Sequence, residues 1–214
     1  MNAHGVASRI RGRILQVAFR LLYTRLGFLH EVVGDMAYGG AWNGRRCHVV
    51  PGRLAGTTLD IGCGDGRLLA SIANQGVQTL GIEPSEQMSR RARRHGVRVI
   101  RADAQLLPLR TGTVQHVIAT YPGPWVTDSR TWTEIARVSA PGASVRILLG
   151  GDISRGSGAL VRSKLLQLAY GSGNDSLETM PAFGNDRVVG GYALIEDEWG
   201  QAIVWAGVRV DLSS

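Results

Sequence analysis

From residue 57 onward the chain switches repeatedly between short apolar runs and longer amphipathic stretches. Apolar runs at 57–61, 79–83, 98–102, 115–120 and 144–149 are bounded by Gly, Pro or polar turns and are short enough to read as strands. Helical spacing fills the gaps. One helix covers 67–74 and stops at Gly76, and a second is capped by Ser85 and ends at Gly96. Its last turn carries Arg93, Arg94 and His95, favourable for the helix dipole. A third covers 129–139, and Pro141-Gly142 then turns the chain into the fifth strand. Strand–helix alternation of this kind predicts an α/β domain with a doubly wound, largely parallel sheet.

The two ends follow other patterns. Ile10, Ile14, Val17 and Leu21 recur at helical spacing, widened by Ala18, Leu22 and Leu29, with Arg9, Arg13 and Arg20 beside the stripe. An amphipathic helix over 8–26 follows, packed on the core domain or over a pocket mouth. A membrane-surface helix with snorkelling arginines is the alternative. The small and aromatic residues of 36–42 suit a mobile lid. Beyond Gly151 a helix over 159–170 and a polar loop precede two strands, 190–196 and 202–210, joined around Trp199-Gly200.

The most informative segment is Leu59-Asp60-Ile61-Gly62-Cys63-Gly64-Asp65-Gly66, a strand running into a turn with glycine at every second position. The spacing is GxGxG, not the GxGxxG of a dinucleotide fingerprint. Residues without a Cβ let the backbone turn sharply and approach a ligand, and the following helix would present free N–H groups to it. The second strand ends in Glu83 and the third at Asp103. Three strand ends that deliver acidic or glycine-rich tips to one sheet edge describe an adenosine pocket.

LDIGCGDG, GIEPSEQM, RADAQLLPL and ARVSAPGASVRIL, in that order and spacing over 57–150, resemble the motif series of class I S-adenosylmethionine-dependent methyltransferases. The small-molecule enzymes called type 11 are the nearest in character. The resemblance implies a Rossmann-like, doubly wound seven-stranded sheet, mostly parallel with an antiparallel last strand. It divides the chain into an N-terminal helical lid or substrate-recognition segment, 1–50, and a cofactor-binding methyltransferase domain, 51–214. S-adenosyl-L-methionine would be the cofactor and S-adenosyl-L-homocysteine the product. Backbone at Gly62, Cys63 and Gly64 would face the amino-acid end of the cofactor, and Asp60 would hold its amine. Glu83 offers two acceptors to the ribose hydroxyls, Asp103 accepts from the adenine amino group and Ala104 supplies a backbone N–H. Met88 would pack on adenine, with Pro84 and Thr120 expected alongside the cofactor. Two departures stand out: Gln115-His116 where the fourth strand usually carries Asp, and Glu83 where Asp is commoner.

Length and composition set bounds on this reading. The chain's 214 residues, 44% hydrophobic with 29 Gly, suit one large α/β domain. No apolar run approaches the ~20 residues that span a bilayer, and Arg20 and Arg25 interrupt the N-terminal stretch before a secretory core forms. With Cys63 inside the glycine turn and Cys47 its only companion, reduced thiols and a cytoplasmic location are expected. The net charge of +7 is uneven, with fifteen Arg against six acids through Arg101. A basic half can mark a nucleic-acid or anionic-membrane partner, though a solvated arginine-rich surface is the plainer reading.

Methyl transfer from a sulfonium needs chiefly alignment, so the lack of a Ser-His-Asp or paired-carboxylate arrangement is no objection. A hydroxyl acceptor would need a general base, for which His30, His48, His116 and Tyr38 are candidates. Tyr38, Trp42, Tyr121 and Trp125 suggest an aromatic or lipid-like small-molecule acceptor, with His30 beside them. No CxxC pair or HExxH appears, so no metal is expected. The strand-four exit, Thr120-Tyr121-Pro122-Gly123-Pro124-Trp125, is not the Asn/Asp-Pro-Pro-Tyr/Phe type used on bases and glutamine. That speaks against nucleic-acid base chemistry. An RNA methyltransferase, supported by the basic N-terminal half, is the first rival. A non-catalytic cofactor-binding scaffold, motivated by the missing base and the unusual fourth strand, is the second. Oligomeric state is left open by the sequence.

Overall fold

The structure, a computed structural model, describes residues 40–52, 54–155 and 180–211. The expected helices over 8–26 and 159–170, together with His30, Tyr38 and most of the proposed lid, lie outside the described residues.

Seven strands form one sheet: β1 (Thr57–Ile61), β2 (Gln78–Ile82), β3 (Val99–Ile100), β4 (Val114–Thr120), β5 (Ser139–Gly151), β6 (Val188–Asp197) and β7 (Gly200–Arg209). The helices are α1 (Ala41–Gly44), α2 (Arg67–Ala73), α3 (Glu86–Arg94) and α4 (Ser129–Val138), with a short 3-10 turn at Arg45–Val49. The order across the sheet is β3-β2-β1-β4-β5-β7-β6. Strands β1 to β5 pair in parallel, and β7 runs antiparallel to both β5 and β6. This is the expected doubly wound α/β sheet with one reversed strand.

Side-chain alternation along each strand builds the two faces. Leu59, Ile61, Val117, Ala119, Val145 and Ile147 pack with Trp132, Ile135 and Ala136 of α4. Ile118 and Leu148 point the other way, onto a layer holding Leu69 and Ile72 of α2, Ala92 of α3 and Val49. On the α4 side Trp132 meets Trp205 edge-on at 5.0 Å, and Phe183 and Tyr192 extend the aromatic cluster. Those contacts anchor the β6–β7 hairpin to the parallel core.

Most strand bounds shift by a residue or two from the pattern-based expectation, and the changes at β3 and β5 alter the layout. Strand β3 is only two residues long, Val99–Ile100, and is flanked by exposed Arg98 and Arg101. Strand β5 begins at Ser139 because Ser139 pairs with Val114 ahead of a register shift. Pro141 and Gly142 therefore form a bulge inside the strand, with Gly142 at φ +77°.

Arg45 fastens the segment before β1 to the far edge of the sheet. Fully buried, it donates from Nε and Nη2 to the two carboxylate oxygens of Asp197, at 2.7 and 3.1 Å, and from Nη2 to the Asp152 carbonyl at 2.8 Å. His48 reaches the same carboxylate at 3.2 Å, and the N–H groups of Trp199 and Gly200 donate to it. Burial alone would raise the Asp197 carboxyl, but the bonds from Arg45, Trp199 and His48 outweigh it and leave it below the ordinary value. Replacing Arg45 with Met is expected to cost about 3 kcal/mol of stability, because the largely buried Asp197 carboxylate loses its guanidinium and keeps only His48 and two backbone N–H groups. The double variant R45M/D197N should recover part of that loss. Denaturant unfolding of the three proteins checks both statements.

Candidate functional site

The C-terminal ends of β1, β2 and β4 meet where the two helical layers diverge, and the polar residues of the pocket collect there. Gly62, Gly64 and Gly66 adopt φ of +78°, +57° and +78°, left-handed values that a side chain would strain. The N–H groups of Gly62 and Cys63 both donate to the Ile82 carbonyl, at 2.8 and 3.1 Å, which folds the turn back over β2. Gly66 is also a packing glycine, since a Cβ there would lie 2.9 Å from the Ala92 Cβ. Asp65 closes the turn by accepting the Arg67 N–H at 3.2 Å and pairing with the Arg67 guanidinium at 2.9 Å. One N–H group at the start of α2 is thus satisfied by the chain itself rather than left for a ligand.

Glu83 is buried and faces this turn from the end of β2. Its Oε2 accepts from the Gly64 N–H at 3.1 Å and its Oε1 from the Ser85 N–H at 2.8 Å. The carboxylate therefore shapes the glycine loop in addition to the ribose role expected of it. Asp60, in the middle of the sheet, is 1% exposed, and among the described residues its Oδ1 accepts no hydrogen bond. Burial pushes its carboxyl up to about 7; the Arg46 guanidinium opposes that and Glu83 adds to it.

Aromatic rings bracket the turn. Trp125 lies over Gly62, its ring 3.6 Å from where a Cβ would stand. Tyr121, at φ +49° just after β4, stacks on Trp42 with centroids 3.7 Å apart and planes 7° apart. Its hydroxyl donates to the Trp42 carbonyl at 3.3 Å. Arg46 sits 5.9 Å from the Trp42 ring centroid. The structure thus brings together Asp60, the glycine turn, Glu83, Trp42, Tyr121 and Trp125. Thr120 ends β4 half-buried, and Met88 is buried on the first turn of α3. Pro84 and Asp103 are exposed on the rim, and Ala104 beside Asp103 is buried.

Other candidates lie elsewhere. His116 sits at the opposite end of the sheet, paired in register with Thr58 and Ser144. Its Nε2 accepts the Ala55 N–H at 3.3 Å, so the proton is on Nδ1, 2.8 Å from Ser144 Oγ. Gln115 accepts the Thr57 N–H at 2.8 Å. The polar pair that replaces the usual Asp of strand four therefore anchors the entry end of β1. Cys63 is a buried thiol packed against Gly81, raised well above its ordinary value by burial and then by Asp60 and Glu83. It is a filler, not a nucleophile. Among the described residues no group of three or more His, Cys, Asp or Glu converges to hold a metal ion. Nor is any helix among them long and apolar enough to cross a membrane.

The family described as Methyltransferase domain matches residues 59–147, the span from β1 through most of β5. Those residues are a methyltransferase domain. An uncharacterized methyltransferase from Mycobacterium sp. (strain JLS) is 34% identical over 93 residues, 40% of this chain and 35% of that protein. A relative from Geobacillus sp. (strain WCH70) is 32% identical over 95 residues, 43% of this chain and 45% of that protein. The chain thus spans less than half the length of these curated relatives. A crystal structure of an S-adenosylmethionine-dependent methyltransferase from Thermotoga maritima, a possible histamine N-methyltransferase, superposes with TM-score 0.61 at 18% identity. That likeness covers 87% of this chain and 97% of the other. Geranyl diphosphate C-methyltransferase from Streptomyces coelicolor A3(2), bound to S-adenosyl-L-homocysteine, gives 0.56 at 16% identity, covering 88% and 84%. At these identities the likeness shows the fold.

The methyltransferase domain has donor and acceptor groups suited to an S-adenosyl cofactor in its own residues. A buried Asp60 carboxyl whose Oδ1 accepts no hydrogen bond among the described residues suits a cationic amine, and left-handed glycines leave bare backbone beside it. Sequence reasoning missed Arg46 and Asp65. Asp65 carried a weak signal, an acid two residues before a helix start; Arg46 carried none, because a long-range contact brings it to Asp60.

A raised Asp60 has a defined effect on stability. Its native carboxyl titrates near 7 against 3.8 unfolded, so the native state holds the proton more tightly. The stabilisation is full below about pH 4 and fades as pH rises toward 7, by a few kcal/mol. Asp60→Asn should therefore be more stable than the parent at pH 8 and lose that advantage at pH 4. Unfolding curves of the ligand-free proteins at both pH values check it.

Proposed function

We propose that the protein transfers a methyl group from S-adenosylmethionine to a small acceptor that is aromatic or lipid-like. The single observation that supports the donor side best is the buried Asp60 carboxylate with an unpartnered oxygen beside the left-handed glycine turn. Asp60 would hold the amine of the donor, and a cation there would lower the cost of its ionisation. Glu83 would add ribose hydroxyls to the N–H groups it already accepts, and Asp103 and Ala104 would meet adenine from the rim. When bound, the donor supplies an electrophilic methyl on a good leaving group. What remains for this chain is to orient the acceptor and exclude water. Trp125 over Gly62 and the Tyr121–Trp42 stack supply apolar walls for both tasks.

The acceptor class rests on those rings and on the small molecules named for two fold neighbours, geranyl diphosphate and, as a possibility, histamine. Residues 1–50 would complete the acceptor side as a lid, for which Trp42, seated on Tyr121, is the fixed end. Transfer of label from methyl-labelled S-adenosylmethionine to mixtures of small acceptors tests the reading. Turnover is expected with at least one acceptor, and its absence alongside tight donor binding would favour the scaffold alternative. Removing residues 1–39 should spare donor binding and abolish transfer.

Glu83 gives a sharper expectation. Glu83→Ala should weaken S-adenosylhomocysteine by about 1–3 kcal/mol, the loss of a charge-assisted partner. Glu83→Gln keeps one acceptor but turns an NH2 toward a backbone donor, so it should weaken binding as well, by less. Isothermal calorimetry of both variants measures the order, and equal affinity to the parent would return Glu83 to a purely structural role.

A further inference from the structure

The donor proposed above ends in an amino acid, and Asp60 answers only half of it. The α-amine is a cation, but an α-carboxylate hangs from the same carbon. Two buried acids stand near it, Asp60 in β1 and Glu83 just after β2. A third carboxylate brought beside them needs donors of its own, because like charges at short range in a buried site repel strongly.

Most of the glycine turn is already engaged. The N–H groups of Gly62 and Cys63 donate to the Ile82 carbonyl, that of Gly64 to Glu83 Oε2 and that of Gly66 to the Cys63 carbonyl. Asp65 holds both the N–H and the guanidinium of Arg67.

Arg46 stands beside this place. It is the second residue of the Arg45–Val49 turn, whose end residues are fully buried, and Trp199 packs against Gly44 just ahead of it. Its guanidinium lies 5.9 Å from the centroid of the Trp42 ring, which stacks on Tyr121 at the C-terminal end of β4. Strand β4 pairs with β1 at Asp60, through Ile118. Burial disfavours the charged Asp60 carboxyl, and this guanidinium opposes it.

We infer, resting on the donor reading above, that Arg46 binds the α-carboxylate of the donor, so that Asp60 and Arg46 together hold a zwitterionic amino-acid end. A planar guanidinium meets a carboxylate through two parallel N–H···O bonds, each stronger than a neutral hydrogen bond. The buried ends of the turn fix the arginine in advance, which lowers the entropy cost of binding. Arg46 is thereby a specificity residue: it selects the intact amino acid over a donor that has lost its carboxylate.

Isothermal calorimetry of the full chain with S-adenosylhomocysteine, and with its decarboxylated analogue that keeps the amine, tests this. The parent should prefer S-adenosylhomocysteine by about tenfold or more. Arg46→Met should weaken S-adenosylhomocysteine and bring that preference close to one. Any effect relayed through Asp60 or through the fold falls on both ligands alike and leaves the preference in place. Arg46→Lys keeps the charge without the planar fork and should retain part of the preference, with the circular dichroism of both variants unchanged. No preference in the parent, or one that survives Arg46→Met, overturns the role of Arg46. A parent that binds neither ligand overturns the donor reading itself, and the role of Arg46 with it.

Discussion

Burying a carboxylate in the middle of a parallel sheet is expensive, and the layout of the site follows from how this chain tolerates it at Asp60. The residue sits in β1, the central strand from which the chain winds out to both sides, with β2 and β4 as its neighbours. Helices α2 and α3 cover one face and α4 the other, and in open sheets of this kind ligands bind outside the carboxyl ends of the strands, the side toward which β1 runs from Asp60. Nearby compensation is partial: Arg46 favours the charged form, whereas burial and Glu83 disfavour it. A glycine turn with alternating left-handed residues then leaves bare backbone next to the carboxylate. The result is a buried, partly compensated carboxylate beside bare backbone, and the proposed contact with the donor's amine rests on it.

The second constraint is mechanical. Arg45 ties the segment ahead of β1 to Asp197, 152 positions later, through a buried bidentate pair. Arg46 and Trp42 flank Arg45 closely in sequence, so fixing Arg45 also sets where they lie against Asp60 and Tyr121. The β6–β7 hairpin thus does more than finish the sheet. It braces the wall of the pocket from the far edge, and the aromatic cluster of Trp132, Phe183, Tyr192 and Trp205 holds the hairpin itself in place.

Local chemistry made much of this legible in the sequence. Gly62, Gly64 and Gly66 announce their turn because only that residue type tolerates the φ values required. Ser85 announces the start of α3, where its hydroxyl accepts the Met88 N–H. Glu83 was visible as a strand-end acid, but its grip on the Gly64 and Ser85 N–H groups depends on how β2 lies beside the turn. Arg45 and Arg46 were not legible as site-building residues. Their partners are distant in sequence, and two arginines in an arginine-rich chain look like any solvated pair. The bulge at Pro141-Gly142 was read as a plain turn, since only pairing between Val114 and Ser139 extends β5 past it.

A crystal structure of the protein with S-adenosylhomocysteine tests the central claim most directly. The account predicts the ligand's amine within hydrogen-bond distance of Asp60 Oδ1, its ribose hydroxyls on Glu83 and its adenine beside Asp103 and Ala104, with the glycine turn in its present conformation. Ligand bound elsewhere, or bound here with Asp60 still unpartnered, would contradict it.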